Sequence, residues 1–124
     1  MRTLRQVWIL AAASACSPAS AVLPDSGNPA HCIAGFHYAA YAFKTGGQPE
    51  RATPMMVRAI FEMEKLKASG TSEIAAREES AKLTRAYAND HEAMMALVRA
   101  CGEAQDGDPK YRAELPRLIA LAPQ

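Results

Sequence analysis

The stretch EIAAREESAKLTRAYANDHEAMMALVRACGE, residues 73–103, decides how this chain folds. Ala76, Ser80, Leu83 and Tyr87 recur at helical spacing, and the phase runs on through His91, Met94, Val98 and Cys101. On periodicity alone the stretch is one helix of about 45 Å, at 1.5 Å per residue. The cysteines argue for two. Cys32 starts an earlier helix on its core face; if that helix rises and the next descends, an unbroken third helix carries Cys101 to the far end of the molecule. A disulfide needs Cα atoms about 4.4–6.8 Å apart. Asn89-Asp90 resolves the conflict, because Asn tolerates the left-handed conformation that ends a helix and Asp is a strong N-cap. A turn there starts a fourth helix, His91 to about Glu103, whose descent brings Cys101 to the level of Cys32. The preferred reading is all-α: a small antiparallel, up-down-up-down four-helix bundle with a short C-terminal helix and one disulfide, Cys32–Cys101. The alternative, a single helix over 73–103, predicts no intramolecular bridge.

The remaining punctuation fits a helical chain. Alanine is abundant and β-branched residues are few. Val22 to Gly27 is a short polar lead. Asn28-Pro29 is an N-cap followed by Pro at the first helical position, and Gly46-Gly47 is a stop. Between them Cys32, Ile33, Phe36, Ala39, Ala40 and Phe43 share one face. Thr53-Pro54 and Gly70 bound a second helix with Met56, Ala59, Ile60, Met63 and Leu66 as its apolar stripe. Arg58, Glu62 and Lys65 are expected on its opposite side, Arg58 and Glu62 as an i,i+4 pair. Ser72 caps the third helix, with Glu73 in its first turn. Gln105 to Asp108 reads as a loop, and Asp108-Pro109 starts a last helix that Pro116 is expected to limit. Leu115, Leu118, Ile119 and Leu121 would pack that tail across the bundle.

The first 21 residues have the parts of a secretory signal. Arg2 and Arg5 precede the apolar run Val7 to Ala15, which is shorter than the ~20 residues a membrane span requires. Ala19-Ser20-Ala21 places cleavage before Val22 and leaves 22–124 as one helical domain. Ala13-Ser14-Ala15-Cys16 resembles a bacterial lipobox without its usual Leu, so a lipid anchor at Cys16 is the less favoured alternative to a periplasmic or secreted protein. Either cut leaves two cysteines, the even count expected of a bridge in an oxidising compartment. Closing the loop of about 70 residues between Cys32 and Cys101 contributes about 3–4 kcal/mol in the chain-entropy model.

Composition narrows the function classes. Without Arg2 and Arg5 the 14 Lys+Arg fall to 12 against 13 Asp+Glu. This near-neutral, interspersed charge provides no electrostatic drive toward nucleic acid or anionic lipid. No second apolar run is long enough for a transmembrane segment. Cys32 and Cys101 lack the Cys-x-x-Cys spacing of redox centres, so they read as structural. His31, His37 and His91 form no His-x-x-x-His pair, and no metal site is expected. Glu78 and Glu79 fall on different parts of a solvated face rather than forming an acid/base pair. No nucleophile or phosphate-loop motif is present, and no enzyme activity or cofactor is expected.

Two functional expectations remain. The first is a non-catalytic exported protein acting through contacts with a protein partner, stress-related or holdase-like. Its architecture is similar to that of small periplasmic acid-stress chaperones, short helical domains with one disulfide, with which it shares no motif. Tyr38 and Tyr41 lie off the core face of the first helix and mark either a contact patch or a cover for the terminal segment. The second is a redox, metal or haem carrier using Met55, Met56, Met63, Met94 or Met95 with a His. This architecture resembles exported b-type haem bundles, although Met56 and Met63 fall on the core stripe, where Met is a flexible filler.

Overall fold

The Asn28 side chain accepts a hydrogen bond from the Ala30 amide and Pro29 takes the first helical position, so helix α1 runs Pro29–Thr45. It ends where Gly47 adopts φ 79°, which lets the Gln48 amide reach back to the Phe43 carbonyl and the Gly47 amide to Lys44. Helix α2, Ala52–Ala68, ends the same way around Gly70 at φ 77°. Ser72 and Asp90 cap α3, Glu73–Tyr87, and α4, His91–Asp106, by accepting from the Ala75 and Ala93 amides. Asp108 caps α5, Pro109–Leu121. The computed structural model describes residues 22–123, all of whose regular structure is helical. The expected signal segment and Cys16 lie outside the described residues.

The chain turns at Asn89-Asp90, and the bridge forms. Cys32 and Cys101 are buried and joined by a disulfide with Cα atoms 5.7 Å apart. The helical bundle is organised around α1, which packs along α2 and also against α3 and α4. Its inner surface carries the main core: Cys32, Ala34, Phe36 and Ala39, with Ala59 from α2, Leu83 from α3, and Leu97, Val98 and Cys101 from α4. Gly35 matters here for its size. A β-carbon there would meet Val98 Cγ2 at 3.3 Å and Leu97 Cδ2 at 3.4 Å, so the missing side chain lets α4 lie close to α1. A second core joins α2 and α5 through Val57, Phe61, Tyr111, Leu118 and Ala122, with the Phe61 and Tyr111 rings edge to face at 5.1 Å.

Several local expectations are corrected. Asn89 does not adopt a left-handed conformation, since no non-glycine described residue has positive φ; the Asp90 amide instead closes the turn on the Tyr87 carbonyl at 3.0 Å. Helix α2 begins before Thr53-Pro54, because a 3-10 turn, Pro49–Arg51, feeds into it. Pro54 is tolerated in the first turn, where backbone amides have no helical partner. Helix α2 buries two sides rather than one stripe, the second being Val57 and Phe61 against α5. Helix α4 runs one turn past Glu103, so Gln105 is helical and buried rather than in a loop. Pro116 lies inside α5 without ending it. Tyr111 and Leu118, buried on either side of it, hold both halves against α2 and offset the lost backbone hydrogen bond. Ile119 and Leu121, expected to pack, are exposed.

The expected Arg58–Glu62 surface pair is also not made. Arg58 turns to α4, donating from Nη1 to Gln105 Oε1 at 3.2 Å and to the Gly102 carbonyl at 3.3 Å, and from Nη2 to Asp106 Oδ1 at 3.0 Å. Glu62 is 3% exposed and accepts from Gln105 Nε2 at 3.2 Å. Gln105 Nε2 also donates to the Arg58 carbonyl at 3.0 Å, so one amide ties the end of α4 to the middle of α2. Glu62 Oε2 accepts no hydrogen bond and has only the Lys65 ammonium beside it at 3.2 Å.

Candidate functional site

Helix α1 is so enclosed that few of its side chains reach solvent. His31, Ala34 and Gly35 are buried along with the expected core face. The outward positions are His37, Tyr38 and Tyr41, at i, i+1 and i+4, followed by Lys44 and Thr45. The two predicted patch residues behave differently. Tyr38 is half-buried, its hydroxyl sharing a 2.7 Å hydrogen bond with His91 Nδ1 and its ring tilted against the imidazole at 5.7 Å. It is thereby tied to the first turn of α4. Tyr41 is 70% exposed.

Two grooves flank this outer face. One, of ≈530 Å³, lies between α1 and α3, with Ala34 and Ala81 in its walls and Arg85 on its edge. The other, also ≈530 Å³, lies between α1, the start of α2 and the chain end, with Ala52, Met56 and Pro123 in its walls and Lys44 on its edge. His37 and Tyr41 belong to both and form the ridge between them. Partial desolvation on this ridge holds the His37 imidazole below its ordinary pKa.

Behind this face lies an arrangement that spacing did not reveal. His31, 4% exposed, accepts at Nδ1 from the Asp25 amide at 3.1 Å and faces Glu79 Oε1 with Nε2 at 3.3 Å. The amide bond requires an unprotonated Nδ1, so the ring proton sits on Nε2 and is donated to Glu79. Glu79 is therefore not simply on a solvated face. The Ser80 hydroxyl donates to the Ala30 carbonyl at 2.8 Å and Tyr87 Oη to the Val22 carbonyl at 2.8 Å. Together these bonds tie the lead segment and the start of α1 to α3. The Ser26 carbonyl lies 3.3 Å from Cys32 Sγ and helps cover it.

Of the side chains considered for carrier chemistry, most methionines pack within the fold, while His91 and Met95 also line a cavity of ≈240 Å³ beside α1. Met94 is fully buried, and Met55, Met63 and Met95 pack against the main core. Met56 lines the second groove. His91 is engaged by Tyr38 and His31 by Asp25 and Glu79. Among the described residues no three His, Cys, Asp or Glu side chains converge.

Of the residues missed by sequence reasoning, Gln105 had a signal: Met94, Val98 and Cys101 continue into it at helical spacing. His31 had none, because its position in the first turn of α1 is ordinary for a surface residue. Among the described residues no helix is long and apolar enough to cross a membrane. Comparison with protein-family models, curated proteins and solved structures finds no match.

Proposed function

We propose that this chain is an exported helical protein, stapled by one disulfide, that acts without catalysis through contacts of its α1 outer face with other proteins, in the manner of a stress-related holding factor. The observation that carries the reading is Tyr41, a large aromatic side chain 70% exposed on a ridge between two mainly apolar grooves. Exposed aromatic residues bordered by apolar surface are characteristic of protein-binding patches. Export is supported by the signal-like residues 1–21 together with the buried Cys32–Cys101 bridge, which suits an oxidising compartment.

The test is suppression of aggregation of an unfolded client protein by the oxidised chain, at neutral and at acid pH. Protection that weakens in Tyr41→Ser is expected; no protection at either pH rejects the holding role. Intact mass of protein recovered from the bacterial envelope, with and without reductant, tests the export reading. A chain starting at Val22 that gains two hydrogens on reduction is the expected product. A chain starting at Cys16 with added acyl mass replaces it with a lipoprotein.

A further inference from the structure

The ridge and its grooves combine apolar walls with cations that form no ion pair among the described residues. Arg85 edges one groove and Lys44 the other, and among the described residues no Asp or Glu lines either. Arg58, Lys65, Arg77 and Arg117 form ion pairs within the fold, whereas Lys82, Arg99 and Arg112, like Lys44 and Arg85, form none among the described residues; Lys44 and Arg85 are the ones that border these grooves. Arg85 and Lys44 each sit in the last turn of a helix, where the carbonyl ends favour a cation yet leave it in solvent and able to meet another anion. Two exposed cations thus lie on either side of the exposed Tyr41.

We infer that this surface binds an acidic–apolar segment of a partner protein, lying across the Tyr41 ridge with apolar side chains in the two grooves and carboxylates against Arg85 and Lys44. Charge complementarity selects this occupant. A basic segment would bring like charge to both edges, and an uncharged apolar one would strip water from two cations without replacing it. Tyr41 supplies a rigid aromatic contact between the two apolar seats, and arginine and tyrosine are the side chains on which binding energy concentrates at interfaces. This inference deepens the contact function proposed above and rests on it.

Binding of a short fluorescein-labelled peptide alternating Leu and Glu, measured by anisotropy on the oxidised protein, tests it. Three controls accompany it: the same peptide with Lys for Glu, one with Ser for Leu, and phosphatidylglycerol vesicles. The Leu/Glu peptide is expected to bind, to outcompete both controls, and to bind about tenfold or more weakly to the double variant Lys44→Glu, Arg85→Glu. Both residues are exposed, so circular dichroism of the variant is expected to match the parent. Equal binding of the Lys peptide, unchanged affinity in the double variant, or binding of vesicles without peptide overturns the inference. If aggregation of a client is still suppressed in that case, only the acidic–apolar specificity falls. If suppression is also absent, the contact function falls with it.

Discussion

His31 and Gln105 are polar side chains enclosed by the fold, and each is held by bonds to other segments. Gln105 is 1% exposed and links the Arg58 carbonyl, the Arg58 guanidinium and the Glu62 carboxylate. Truncating it removes these three bonds and leaves the buried Glu62 carboxylate only its contacts with Lys65, a loss of roughly 1–3 kcal/mol. Gln105→Ala is accordingly expected to lower the urea midpoint without changing the m-value, while an exposed control such as Arg112→Ala leaves it in place. His31 joins the lead segment to α3 through Asp25 and Glu79. His31→Ala removes both bonds, at a similar cost of about 1–3 kcal/mol. Because those bonds lie at one end of the bundle, hydrogen exchange is expected to accelerate first in residues 22–28 and at the start of α3. Uniform acceleration across α1 and α4 would show that His31 supports the whole core instead.

Two elements decide the topology, the Asn89-Asp90 turn and α5. Asp90 accepts from the Ala93 amide and thereby starts α4 at His91. Losing such a cap costs about 1 kcal/mol, and Asp90→Ala is expected to reduce thermal stability by that amount while Asp90→Ser retains most of it. Equal loss in both variants would mean that the turn depends on the carboxylate's charge rather than on capping. Helix α5 is held to α2 largely by Tyr111 and Leu118, and burial pushes the Tyr111 phenol above its ordinary pKa of about 10. The sign follows from linkage: the folded state favours the protonated phenol. Its contribution is therefore complete below the unfolded-state pKa and is lost as pH rises through the raised folded value. Stability measured from pH 8 upward is expected to decline above about pH 10, and more shallowly in Tyr111→Phe. Identical profiles would assign the decline to other groups.

At the scale of the molecule, the Cys32–Cys101 bridge spans 69 positions and joins the start of α1 to the last turns of α4. A loop of this length contributes about 4 kcal/mol by restricting the unfolded chain. The double variant Cys32→Ala, Cys101→Ala is expected to lose close to that amount by urea titration and to keep its helical circular dichroism if still folded; a change under 1 kcal/mol would place the stability in the two hydrophobic cores alone. What the amino-acid sequence determined by itself is the set of helices and most of their ends, the start of α2 and the end of α4 excepted. Asn28-Pro29, Gly46-Gly47, Gly70, Ser72, Asp90 and Asp108-Pro109 act through local backbone geometry, and local geometry is encoded within a few residues. It favoured a turn within 73–103, because two cysteines on core faces restrict topology more strongly than periodicity does, but left the single-helix alternative open until the fold showed the turn and the bridge. Of the candidate site, Tyr38 and Tyr41 were legible as off-core residues. Their separation into a tethered Tyr38 and an exposed Tyr41 was not, because it depends on where His91 and α3 come to rest. The same holds for Glu62, buried although charged, and for Gln105 and His31. Their partners lie 43, 47 and 48 positions away along the chain. Only the tertiary structure brings such groups together, because long-range polar pairing follows from how helices pack and leaves no periodic trace in the residues that form it.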